Sequence, residues 1–297
     1  MEKRQFGSTD MLVSVLGFGG AEIGFEGAPQ SDVDALLNAA LDSGLNVIDT
    51  AECYADSEEK IGNAVAGRRN DFYLFTKIGH SSGFDLPDWD PKMLTQTIDR
   101  GLQRLKTDRV DLIQLHSCSE ELLRQGDVID VLSKAKAAGK TRYIGYSGDR
   151  NDALYAVESG AFDSLQTSVN IADQQCLTLT LPKALERGMG VIAKRPVANV
   201  AWRTGATQPT NSYHQTYWER LKELRYPFLD DEDAVATALR FTLSQPAVNV
   251  AIVGTKNPSR WAVNSSYAKL GPLSNSAVLA IRERWYQVAT PDWVGQQ

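Results

Sequence analysis

The strongest constraint on this chain is a rhythm. Short apolar, β-rich runs alternate about eight times with amphipathic helical stretches, the signature of parallel strands joined by crossover helices. The run at 12–19, LVSVLGFG, reads as the first strand. The helix SDVDALLNAALDSG follows, with Ser31 expected as N-cap and Gly44 just past its end. Strands are then expected at 46–51, 72–79 and 110–117, and within RYIGYSG, SLQTSVN, GVIAKRP and VAIVGT. Between them lie helices such as DPKMLTQTIDRGLQRLK and DEDAVATALRFTLSQ, and two more close the chain.

Eight such units close a (β/α)8 barrel, and 297 residues suit one barrel domain spanning 1–297. The alternative is an open doubly wound sheet. Against it, GFGGAEIG after the first strand does not continue as GxGxxG into a helix, so the dinucleotide fingerprint of that fold is missing. Two connections are long, HSSGFDLPDWDP at 80–91 and the stretch from Pro196 to about Asp230. Long loops at the C-terminal ends of strands are where barrels build substrate pockets.

Composition narrows the partners. Net charge is −6 with basic residues scattered, so no polybasic stripe offers itself to nucleic acid or an anionic membrane. No apolar run approaches the ~20 residues of a membrane span, and the first residues lack the apolar stretch of a signal peptide. The expectation is a cytoplasmic protein with a small-molecule partner. Cys53, Cys118 and Cys176 are too few and too scattered for a disulfide framework and read as reduced thiols. Cys53 and Cys118 flank candidate functional residues, but the commoner use of such a thiol is as a small apolar filler.

In a barrel, chemistry sits where polar residues end apolar strands. Asp49, Lys77, His116 and Ser147 end four runs here, Gln166 lies in a fifth, and Tyr54 follows Asp49 on a short loop. A phenol of pKa about 10 donates reluctantly near neutrality, and an adjacent ammonium lowers that pKa. Lys77 is placed to act on Tyr54, with Asp49 to orient it and keep it charged. His116 would hydrogen-bond a carbonyl oxygen. A proton donor beside an oxygen site implies carbonyl reduction, and the hydride source is the missing element. Singly, each residue has an ordinary use: a turn aspartate, a rim lysine, a loop tyrosine, a core histidine. Their recurrence at consecutive strand ends favours a shared site. His80, His116 and His214 show no metal-ligand spacing, so no metal is expected.

The motifs LGFGG, GLNVIDTAECYADSEEKIGNAV, FTKIG, DLIQLH, IGYSG and VGTKNPSRWAVN resemble, in order and spacing, those of the aldo-keto reductases over nearly the whole chain. That resemblance implies a barrel closed below by an N-terminal β-hairpin, and a reversible oxidoreductase using NADPH, less often NADH, on an aldehyde or ketone. It makes Asp49, Tyr54, Lys77 and His116 a catalytic tetrad with Tyr54 as general acid. Ser147 and Gln166 would hold the nicotinamide carboxamide. Where the family commonly has Asn after that serine, this chain has Gly148, which either costs one carboxamide contact, supplied instead by Asn170, or serves a turn of positive φ. The GTKNPSR turn, with Gly254, Lys256, Ser259 and Arg260, resembles the 2′-phosphate site of NADPH, against the plainer reading of a solvated helix start. Asn264 resembles an adenine neighbour, while Val263 replaces a frequent Glu. Arg195 is expected at the pyrophosphate, and Lys194 either against the nicotinamide ring or projecting at the rim.

Trp89, Trp202, Tyr213, Tyr217 and Trp218 are candidate walls of an apolar pocket, or anchors of their loops. Two other functions compete. One is a regulatory, redox-sensing binding protein on the same scaffold. The other is a barrel hydrolase pairing Asp49 with Glu52, which leaves Lys77 and Tyr54 without a role.

Overall fold

The computed structural model describes residues 1–297. Ten strands form. β1 (Lys3–Gln5) and β2 (Leu12–Ser14) make an antiparallel hairpin. β3 (Leu16–Gly19), β4 (Val47–Asp49), β5 (Tyr73–Ile78), β6 (Val110–His116), β7 (Thr141–Ser147), β8 (Ser164–Ser168), β9 (Gly190–Lys194) and β10 (Val250–Gly254) close a parallel barrel, β10 pairing with β3. The (β/α)8 expectation is met, and the open sheet is excluded.

The run at 12–19 is two strands rather than one. Residues 12–14 pair with the hairpin, and 16–19 enter the barrel. The hairpin plugs the lower end of the barrel: Phe6, Met11 and Val13 pack on the inward side chains Val47, Phe75, Leu112, Ile192 and Val250, all fully buried. Each such side chain contributes about 1.5–3 kcal/mol through burial. Two residues further along each strand, on the same inward parity, the interior turns polar: Asp49, Lys77 and Gln114, all buried, follow Val47, Phe75 and Leu112. The apolar plug therefore gives the polar layer above it a dry floor.

Helix 30–42 starts two residues before expected, at Gln30, with Pro29 in the cap position, so Ser31 lies inside the first turn and caps nothing. Gly44, at φ 95°, ends it as expected. Helix 91–104 has Pro91 at its start, and the Asp90 carboxylate accepts from the Lys92 and Met93 amides. The stretch after Pro196 is more ordered than its composition implied. It folds as a 3-10 turn at 198–204, a helix at 212–224 capped by Asn211, and a second turn at 227–230. The 80–91 connection forms no regular element, yet it is pinned: Trp89 donates its amide to Gly79 O at 2.9 Å, and Arg100 lies 4.1 Å from the Phe84 ring. No helix is long and apolar enough to cross a membrane.

Candidate active site

The upper rim brings together residues from every strand end singled out in the sequence. Lys77 Nζ donates to Asp49 Oδ1 at 2.5 Å and to Thr50 O at 2.9 Å, with both side chains sealed from solvent. Gln114 Nε2 and Gln166 Nε2 each donate to the same carboxylate at 3.3 Å. Gln114 escaped the sequence reading, although its position two residues before His116 puts it on the same inward parity. Burial works against the charge on Lys77, but the Asp49 carboxylate and the Tyr54 phenol together hold its pKa above the ordinary lysine value.

Tyr54 lies with its ring centroid 5.1 Å from Lys77 Nζ and 5.7 Å from the His116 ring. Its loop is fixed locally. Ser57 donates its amide to Tyr54 O and its hydroxyl to Gly20 O, and the backbone of Gly24 passes so close that a Cβ there would stand 2.0 Å from Tyr54 O. Phe25 packs edge-on against the Tyr54 ring. The phenol differs from expectation in one respect. Burial raises its pKa, and the lowering effect of Lys77 does not overcome that. Tyr54 is therefore a protonated phenol at neutral pH.

Burial, and then the charge of Lys77, push His116 well below the ordinary histidine value, so its imidazole is neutral. Its Nδ1 lies 3.4 Å from Cys53 Sγ. Burial pushes the Cys53 thiol up to about 12, so it carries its proton. His80 packs edge-on to His116, and its Nδ1 is 3.0 Å from Asp88 Oδ2. The folded chain thus joins Cys53, His80 and His116, whose ligand atoms all lie within 4.8 Å of one another, although their spacing in sequence matches no metal motif. Glu52, buried and pushed up to about 7 by desolvation, accepts the His80 amide at 2.9 Å. Asp49 is committed to Lys77 and two amides, so it is not free to pair with Glu52 in activating a water as the hydrolase reading needs, although Glu52 Oε2 is unpartnered.

His116, Ser147 and Gln166 are direct register partners across β6, β7 and β8. Ser147 Oγ, Gln166 Oε1 and Asn170 Nδ2 are buried and lack a hydrogen-bond partner. Together they offer two donors and one acceptor, the complement of a carboxamide group. Gly148 does not have positive φ. What it needs is space, because a Cβ there would meet the Tyr146 ring at 2.7 Å.

The other half of the rim is a second charged cluster. Lys194 neither projects freely nor turns toward the Tyr54 side: its Nζ pairs with Asp149 Oδ2 at 2.9 Å. Asp149 also accepts from Thr167 Oγ1 and the Ser168 amide. Arg195 donates to Gln296 O at 2.6 Å and lies over the Tyr213 ring. Gln296 N in turn donates to Asp173 Oδ2 at 3.0 Å, and Arg220 Nη2 to Val294 O at 2.7 Å. The C-terminal residues thereby seal this side. Tyr217 and Trp218 are buried, Trp218 Nε1 bonding Gly205 O, so they anchor their loop. Tyr213 is exposed, Trp202 half-buried, and Trp89 packs on Gly79 and His80.

At the end of β10, Lys256 pairs with Glu26 at 2.9 Å, and Asn257 caps helix 258–269 by accepting the Ser259 amide. Arg260 is exposed on the first turn and takes part in no ion pair. Asn264 is buried and Val263 exposed. Gly254, whose added Cβ would meet the Glu22 carboxyl at 2.8 Å, closes the strand.

The family model described as the aldo/keto reductase family matches residues 15–285. The chain is 27% identical over 303 residues to the oxidoreductase YqkF of Bacillus subtilis, covering 97% of each chain. It is 32% identical over 214 residues to L-galactose dehydrogenase of Arabidopsis thaliana, covering 67% of this chain and 66% of that one. Among solved structures, the holo form of the aldo-keto reductase AKR11C1 from Bacillus halodurans superposes with a TM-score of 0.85 at 26% identity, covering 99% of each chain.

Proposed function

The chain belongs to the aldo/keto reductase family of NAD(P)H-dependent oxidoreductases, and from that premise we propose that it reduces an aldehyde or ketone to the alcohol, preferring NADPH, with Tyr54 as proton donor. The observation that carries this reading is the buried Lys77–Asp49 pair lying under a protonated Tyr54 beside a neutral His116.

A reduced nicotinamide bound at this rim supplies the hydride that goes to the carbonyl carbon. The protein's part is to bind the carbonyl oxygen and protonate it. Tyr54 Oη gives up its proton to that oxygen, and the Lys77 ammonium stabilises the phenolate left behind until solvent restores the proton. Asp49, gripped by Gln114 and Gln166, keeps Lys77 charged. The protonated Cys53 thiol donates to His116 Nδ1, which leaves the imidazole proton on Nε2 to hydrogen-bond the same oxygen. The unpartnered Ser147 Oγ, Asn170 Nδ2 and Gln166 Oε1 would hold the nicotinamide carboxamide, the first two as donors and the third as acceptor. Asn170 thus replaces the contact missing at Gly148.

Arg260, without an ion-pair partner, is the group for the 2′-phosphate, with Ser259 beside it, Gly254 and Lys256 on the approach and Asn264 toward the adenine. Arg195, which bonds Gln296 O here, would hold the pyrophosphate. Titration with NADPH and NADH, followed by an aromatic aldehyde, tests the reading: NADPH should bind more tightly and be oxidised. Arg260→Ala should weaken NADPH about 10-fold and leave NADH unchanged, as expected for one charge-assisted contact. Equal losses for both cofactors would remove the 2′-phosphate assignment.

A further inference from the structure

We propose that Cys53, His80 and His116 form a transition-metal site that takes a zinc-class divalent cation beside Tyr54. The three donors come from three separate connections or strand ends. They nevertheless bring one sulfur and two imidazole nitrogens within 4.8 Å of one another. Sulfur and imidazole are the donor set of zinc, copper and nickel rather than of magnesium or calcium.

The geometry is close to coordination. In a tetrahedral zinc site with Zn–S ~2.3 Å and Zn–N ~2.0 Å, a sulfur and a nitrogen ligand stand roughly 3.5 Å apart, and Cys53 Sγ and His116 Nδ1 are 3.4 Å apart. His80 completes a three-ligand set and leaves one position for water, the pattern of open zinc sites. It also has the outer partner that metal-binding histidines usually have. The Asp88 carboxylate, 3.0 Å from His80 Nδ1, holds the ring so that Nε2 is the free ligand. His80 and Asp88 are both partly exposed, which gives a cation a way in from solvent.

Binding puts Sγ and two ring nitrogens on the aqueous cation, leaves it one water, frees its other waters and releases the thiol proton to solvent. No electrons are transferred. The cation takes His116 Nδ1 in place of the Cys53 thiol proton and leaves Nε2, the atom proposed to bind the carbonyl oxygen, uncoordinated, so the metal site does not depend on the reductase reading.

The test uses the untagged full-length protein with Co2+ and Zn2+ as probes. Co2+ should bind one per chain, giving a thiolate-to-cobalt charge-transfer band in the near ultraviolet and four-coordinate bands in the visible, both removed by Zn2+. Cys53→Ala should abolish the charge-transfer band, since Cys118 and Cys176 are buried elsewhere. His80→Ala should weaken Zn2+ about 100-fold, and Asp88→Asn, which alters only an exposed carboxylate, about 10-fold. No charge-transfer band in the parent protein, or one that survives Cys53→Ala, overturns the site. The spectra need no turnover, so failure of the reductase reading leaves the metal test intact.

Discussion

The two halves of the barrel rim each bury a lysine–carboxylate pair, and they use it in opposite ways. At β4–β6, Lys77 and Asp49 sit below Tyr54, His116 and Cys53, and the 80–91 connection leaves His80 and Asp88 partly in water. At β7–β9, Lys194 and Asp149 lie in a network closed by residues 294–296. A buried pair breaks even at best on stability unless its remaining hydrogen-bonding capacity is met. In the sealed half the capacity of Asp149 goes to Thr167 Oγ1 and the Ser168 amide, which holds the structure together beside the groups proposed for the carboxamide. In the open half the pair's capacity faces groups that are left reactive.

The largest expected effect tests the sealed half. Asp149→Asn leaves Lys194 charged and unpaired, and should cost about 3–5 kcal/mol in urea unfolding. Tyr54→Phe should leave stability nearly unchanged while lowering kcat about 10³-fold, which is about 4 kcal/mol, with cofactor affinity retained. If Tyr54→Phe instead destabilised the protein and spared turnover, the contrast between the halves would reverse and the proton-donor role would be lost.

Glu52 sharpens the comparison through pH. Its carboxyl stands at about 7 in the folded protein against an ordinary 4.5, so the folded state holds a proton that the unfolded chain releases between those values. Stability should therefore fall as pH rises from 4.5 to 7, by at most about 3 kcal/mol. Glu52→Gln should flatten that slope, and an unchanged slope would assign the pH dependence elsewhere. The smallest effect is expected from removing residues 295–297. Loss of the Gln296 bonds to Arg195 and Asp173 should cost about 2 kcal/mol, seen as a lower urea midpoint at unaltered m-value.

The barrel and the open half were legible in the sequence for one physical reason: both are written in strand parity. A polar residue ending an apolar run has one place to point, and Asp49, Lys77, His116, Ser147 and Gln166 all point there. The sealed half was not legible. Asp149 pairs with Lys194 across three strands, and Arg195 bonds a backbone carbonyl of Gln296, so no local pattern marks either contact. The same holds for Cys53, His80 and His116, which meet only because three connections share one opening. Of the two readings of Gly148 the conformational one fails, because its φ is not positive and its constraint is the Tyr146 ring.

The segment that seals the β7–β9 half follows every element it locks. At bacterial and eukaryotic synthesis rates of about 5–20 residues per second, on the order of 10 seconds pass between the appearance of Asp149 and that of Gln296. Until Gln296 is made, a nascent chain carries Asp173 and Arg195 without their backbone partners. The open half has all its ligands once residue 166 is made. The reactive side of the rim can therefore be in place on the ribosome while the side that secures it is still waiting for its clasp.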